Sequence, residues 1–196
     1  MLKDAARLVA KGLMLPGDSL SWRVPGRDAF LKVTVQTFGG LPALAEEIAI
    51  GPGDKHGWVY GDRQDVGAVL LSSQPWAAAI GQLGVVMPGL FDEQIRHLGK
   101  SVGPTFSGAS LSGGANAFLL EGRVLCLGMT MARLVCNAEL LEKCAKAFVL
   151  AYGTGQRVHH IPWLVRMIAN RRLLRDERYA AQCHLGGEEP QLASAY

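Results

Sequence analysis

The sequence holds only four cysteines, at 126, 136, 144 and 183, and no two of them form a Cys-x-x-Cys pair. A zinc-ribbon or dithiol redox motif is therefore excluded. With no leader pattern at the Met1 end, the expected setting is reducing and cytoplasmic. Long apolar runs are missing as well. Val66 to Leu71 and Val85 to Leu90 fall far short of the roughly 20 residues that cross a bilayer, so no membrane partner is expected. Charge of one sign is scarce: 20 Lys plus Arg stand against 17 Asp plus Glu, a formal net +3. Nucleic-acid binders concentrate more positive charge than this on one face, so no nucleic-acid partner is expected either. The 24 glycines and 9 prolines follow no three-residue period, which excludes collagen and leaves many turns.

What is present is enough apolar sequence, 49% of 196 residues, for one domain with its own core and no need of a metal or disulfide to hold it. No repeat or linker divides the chain, so residues 1–196 are read as a single domain. Leu2, Ala5, Leu8, Val9 and Leu13 recur at helical spacing and predict a first amphipathic helix over Leu2 to Leu13. Strands are expected at Ser19 to Val24 and Ala29 to Val35, and a short helix at Leu41 to Ile48. A helix carrying His56, Trp58 and Tyr60 should follow. Val66 to Ser72, bounded by Asp65 and by Ser72-Ser73-Gln74-Pro75, is the best-punctuated strand. Pro75 then suits the first turn of a helix over Trp76 to Leu83. From Val85 to Ser112 the pattern breaks into loops and short strands. Ala117 to Leu120 and Val124 to Leu127 read as two strands with a tight connection. Thr130 caps a helix over Met131 to Tyr152, and Pro162 opens a further one. Residues 161–196 form a C-terminal helical extension, and the sum is an α/β domain with helices on both sides of a sheet.

The order of Pro16-Gly17-Asp18-Ser19-Leu20-Ser21-Trp22-Arg23-Val24-Pro25, His56-Gly57-Trp58-Val59-Tyr60, Arg63 to Val69 and Leu119 to Gly128 resembles the class II aldolase and adducin head family over about residues 2 to 160. The resemblance implies a three-layer α/β/α sandwich with a central, mainly antiparallel sheet. It also implies a divalent metal held by a His-x-His pair and by the histidine of a later His-Gly. Here the pair falls on Leu71 and Ser73, and the third ligand on Gly122, followed by Arg123. The family's catalytic acid falls near Pro52. Zinc needs about three N, S or carboxylate donors, and Leu71 and Gly122 supply none, so no metal or other cofactor is expected. Loss of the metal would remove the main stabilisation of an enediolate.

The family's phosphate segment reads Asp18-Ser19-Leu20-Ser21 here, and its Thr-Gly is blurred in Thr34-Val35-Gln36-Thr37. Asp18 beside the pocket is expected to repel phosphate. Ser21 and Arg23 survive, and with Ser72, Ser73, Gln74 and Arg123 they are the candidate ligand-binding residues. Arg123 could carry its guanidinium into the old metal cavity and grip a carboxylate bidentately, or it could be a solvated turn arginine. His56 is expected to hydrogen-bond locally. His56, His97, His159, His160 or His184 could form a relocated metal site only by coming together, and adjacent His159 and His160 point apart. Cys126 and Cys144 read as core residues, whereas Cys136 is ambiguous and Cys183, next to His184, lies in a polar tail. Six arginines from Arg157 to Arg178 suit a subunit contact or the rim of an anion pocket.

The expected function is that of a metal-free, degenerate relative acting as a non-catalytic subunit or a carboxylate-binding protein. The alternative is a repurposed lyase or decarboxylase. Implied partners are an anionic small molecule and other chains, either in a homo-oligomer such as a tetramer or with a relative that keeps its ligands.

Overall fold

The computed structural model describes residues 1–36, 40–41, 44–155 and 158–191. The elements run α1 (Leu2–Ala10), β1 (Ser19–Arg23), β2 (Ala29–Thr34), β3 (Glu46–Ala49), α2 (Lys55–Asp62), β4 (Ala68–Ser72), α3 (Pro75–Gln82), β5 (Met87–Pro88), α4 (Asp92–Leu98), β6 (Ser101–Val102), β7 (Pro104–Thr105), β8 (Ala117–Leu120), β9 (Arg123–Gly128), α5 (Met131–Gly153) and α6 (Trp163–Leu185). Seven strands form one sheet in the order β3-β2-β1-β4-β9-β8-β7. Every pairing is antiparallel except β7 with β8.

The central strand β4 is buried along its whole length. Its alternation divides the core between the two faces of the sheet. Ala68 and Leu70 join Ala5 and Leu8 of α1, Ile80 of α3 and Leu134 and Leu141 of α5. Val69 and Leu71 join Phe30 and the α2 residues Trp58, Val59 and Tyr60. Helices therefore cover both faces, as a sheet with two apolar sides requires.

Helix α3 shows how local signals and tertiary packing combine. Pro75 suits its first turn, but Gln74 makes no side-chain cap bond. Instead the Glu142 carboxylate on α5 accepts the N–H groups of Trp76 (2.9 Å) and Ala77 (3.1 Å). The far end closes as a Schellman motif. Gly84 at φ 65° donates to Gly81 O, and Val85 donates to Ile80 O.

Four expectations differ from the structure. The helix predicted to Leu13 stops at Ala10, because Gly12 turns left-handed at φ 69° and Leu13 N–H returns to Leu8 O. Leu41 to Ile48 is not a helix: Glu46–Ala49 is a strand whose Glu46 pairs Lys32 and whose Ile48 pairs Phe30. Pairing with β2 overrides the helical preference of Glu and Ala. Pro42 and Ala43 within that segment lie outside the described residues, as do Thr37 and Arg157. The stretch read as loops contains α4, with Asp92 and Glu93 in its first turn and Gly99 at its end. The expected Val66–Ser72 strand begins at Ala68. Among the described residues, no helix is long and apolar enough to cross a membrane.

Candidate functional site

Strand β1 and helix α2 bring the first polar cluster together. Asp54 caps α2, accepting the N–H groups of His56 (2.8 Å) and Gly57 (3.4 Å), and this places His56 against β1. The Ser19 and Ser21 hydroxyls each bond one ring nitrogen of His56 at 2.7 Å, and Ser21 also meets the Tyr60 hydroxyl at 2.8 Å. Burial, with Lys32 adding to it, lowers His56 to about 3, so the ring is neutral near pH 7. Burial likewise pushes the Tyr60 phenol up. Arg23 lies beneath this cluster, 4.9 Å over the Tyr60 ring, and donates to the carbonyls of Val66, Tyr60 and Arg63.

A second cluster fastens α6 to the body. Arg63 holds Asp65 with two bonds, at 2.7 and 2.8 Å, and reaches Glu177 Oε1 at 3.0 Å, Asn116 Oδ1 at 3.2 Å and the carbonyls of Ser112 and Ala115. Glu177 Oε2 accepts the Gly114 N–H at 2.7 Å. Burial, reinforced by the charge of Asp65, raises Glu177 to about 7, with Arg63 and the Gly114 N–H opposing it.

The third region is open. Glu121 (φ 49°) and Gly122 (φ 77°) form the two-residue turn between β8 and β9, both left-handed as a type I′ hairpin requires. Arg123 follows and donates one bond, Nη1 to Gly17 O at 3.0 Å. It borders a cleft of about 270 Å³ whose walls are mainly apolar, with Thr105 and Glu121 as its other polar side chains. The Glu121 carboxylate binds the Lys55 ammonium (2.5 Å) and the Ser107 hydroxyl (2.8 Å). Those two bonds, Lys55 first, hold it below the usual carboxylate range.

The six candidate ligand-binding residues are thus dispersed. Ser21 and Arg23 belong to the buried His56 cluster, and Arg123 lines the cleft. Ser72 and Gln74 are fully buried, and the Ser72 hydroxyl and both Gln74 amide atoms have no hydrogen-bond partner among the described residues. Ser73 donates its N–H and its hydroxyl to Asp18, both at 2.9 Å. Asp18 therefore does not stand beside a pocket as expected. It is fully buried and also accepts the Leu15 N–H, because a carboxylate there can collect three donors from two loops.

The metal ligands implied by the resemblance do not fit a cation. Leu71 packs with Phe30, Val69 and Leu125, Ser73 is committed to Asp18, and Gly122 has no side chain. The other histidines are apart. His97 bonds Arg133, His184 bonds the Met129 carbonyl, and His159 and His160 are exposed in a loop. Among the described residues no three His, Cys, Asp or Glu groups assemble as a cation site. Cys126 and Cys144 are buried, and burial raises both thiols to about 12, which leaves them protonated.

Sequence reasoning missed Glu121, Lys55, Thr105 and Gly81 at or beside the cleft, as well as the Arg63–Asp65–Glu177 cluster. The Glu-Gly turn is a readable signal for the first. The rest converge from distant segments without a local pattern.

No family model matches the sequence, and no curated protein matches it. Solved structures do. An L-fuculose 1-phosphate aldolase has a TM-score of 0.68 at 18% identity, covering 87% of this chain and 92% of that one. YgbL from Escherichia coli has a TM-score of 0.68 at 18% identity, covering 87% and 95%. An aldolase II superfamily protein from Pseudomonas syringae has a TM-score of 0.61 at 18% identity, covering 96% and 92%. At this identity the likeness is one of fold.

Proposed function

The chain carries the class II aldolase fold, and on that premise we propose that it is a metal-free, non-catalytic protein whose cleft at Arg123 binds a carboxylated small molecule. The observation that carries this reading is the state of Arg123. Its guanidinium borders a cleft, spends one bond on Gly17 O, and has no carboxylate partner among the described residues. A planar cation with spare parallel N–H groups matches a carboxylate in both charge and shape. Glu121, two positions before Arg123 in the sequence, is engaged by Lys55 and Ser107 and so competes weakly for it. The metal-free half rests on donor chemistry, since Leu71, Ser73 and Gly122 do not make a zinc site. Without the ion, the fold loses the electrophile that a retro-aldol step needs.

The same reading includes assembly with other chains. Trp163, Leu164 and Ile168 on α6 and Leu150 and Tyr152 on α5 are exposed, and large exposed apolar side chains of this kind support an interface.

Calorimetric titration of acetate and glycolate tests the site. Arg123→Ala should weaken binding about tenfold or more, as loss of a bidentate ion contact does, while leaving the unfolding midpoint unchanged. Unaltered affinity would reject Arg123 as the anchor. Stoichiometric transition metal in protein purified without chelator would reject the metal-free half, and release of carbon dioxide or an aldehyde from a bound acid would favour a repurposed lyase.

A further inference from the structure

Glycine is a poor helix residue, so a glycine inside a helix calls for a reason. Gly57 on α2 has one in packing: a Cβ there would lie 2.4 Å from Gly51 O. Gly84, just past α3, has one in conformation, being the left-handed residue of the Schellman motif. Gly81 on α3 has neither, which is true also of Gly61 on α2 and Gly153 on α5, but of the three only Gly81 lines the cleft. Its φ is not left-handed, and the one atom beyond its own helix that a Cβ would meet is Leu119 Cδ1, at an ordinary 3.9 Å. The fold would accept alanine there. Gly81 lines the cleft, however, and so does Leu119, so an added methyl would stand inside it.

The rest of the cleft points to the same kind of occupant. Ala78, Val85, Val86, Pro104 and Leu119 offer a bound molecule no hydrogen bonds from their side chains. A hydroxyl pressed against them would lose water without replacement, which disfavours a polyhydroxylated body. A hydrocarbon body gains from the same walls. Among the described residues that line the cleft Arg123 is the one cation, and Lys55 beside the rim is spent on Glu121, which suits a monoanion better than a doubly charged phosphate. The volume, about 270 Å³, lies just below the roughly 300–1,000 Å³ of most small-molecule pockets.

We infer that the cleft takes a small monocarboxylate with an apolar body, its carboxylate on Arg123 and its hydrocarbon part seated against Gly81 and Leu119. This rests on the carboxylate site proposed above and adds its ligand class. Gly81 is a specificity-determining residue: it keeps open the space that the apolar body fills, at a cost to the stability of α3.

The test is an NMR titration of the full chain with hexanoate, phenylacetate, gluconate and inorganic phosphate, following the amides of Thr105, Gly122 and Arg123. Hexanoate and phenylacetate should bind about tenfold more tightly than gluconate or phosphate. Gly81→Ala should raise Tm by about 2 °C, as relief of a helix glycine does in a chain of this size, and weaken hexanoate about tenfold. Gly61→Ala on α2, where a Cβ meets nothing within 4 Å, is the control and should raise Tm without changing binding. Gluconate or phosphate binding as tightly as hexanoate leaves an anion site at Arg123 and overturns the apolar body. Gly81→Ala that leaves hexanoate affinity intact, or lowers Tm, overturns the role given to Gly81. Silence with all four probes removes the carboxylate site itself, and this inference with it.

Discussion

Around His56 the polar groups are shut in on each other, whereas around Arg123 they face a cleft. Both ring nitrogens of His56 are taken by serines, and Ser21 passes the contact on to Tyr60. The Arg123 side chain on the β8–β9 hairpin makes one hydrogen bond among the described residues and borders open space. The two regions differ in satisfaction. A buried network with every partner in place stabilises and specifies the fold. A cation with spare donors beside a cleft has capacity left for something else. Sequence alone ranked Ser21, Arg23 and Arg123 together; the geometry separates them.

The largest expected effect would break the closed side. His56→Ala should cost about 3–5 kcal/mol in urea unfolding, since it opens a cavity and strands two buried hydroxyls, while folded protein keeps its anion affinity at Arg123. Stability equal to that of the parent would mean that the cluster is not structural.

The next sharpens the contrast through pH. His56 titrates at about 3 when folded, below its ordinary 6.5. Its contribution is complete above pH 6.5 and is lost as pH falls from there towards 3, on the order of 5 kcal/mol in all. Glu177 runs the other way, because its folded value of about 7 stands above the ordinary 4.5. Its contribution is complete below pH 4.5 and declines as pH rises to 7, on the order of 3 kcal/mol. Between pH 4.5 and 6.5 the two slopes oppose. Glu177→Gln should therefore make stability rise more steeply with pH in that window, as measured by urea titrations across it. An unchanged slope would place the buried charge elsewhere.

The smallest effect belongs to the open side. Lys55→Ala frees the exposed Glu121 carboxylate beside Arg123, and should weaken carboxylate binding about two- to threefold with no change in the unfolding midpoint. No change in binding would show that Glu121 is too far from the bound anion to matter.

The fold was largely legible because its signals are local or periodic. Thr130 before α5, Pro75 at α3 and the alternation through β4 each mark an element in a few residues. Glu46–Ala49 was not, since its strand character comes from pairing with Lys32 and Phe30 rather than from its own composition. That Leu71 and Gly122 stand at ligand positions rests on the family resemblance alone. The cleft could not, because Gly81, Thr105, Leu119 and Arg123 belong to four elements. Asp18, expected beside a pocket, belongs with these, because nothing local shows that Ser73 folds over it.

The borrowed cap of α3 has a consequence for biosynthesis. Glu142, which holds the first N–H groups of that helix, lies 66 residues beyond Trp76. Eight residues are too few to stay helical unaided. On the ribosome those two bonds cannot form until α5 has been made. One wall of the cleft therefore gains its cap only late in synthesis.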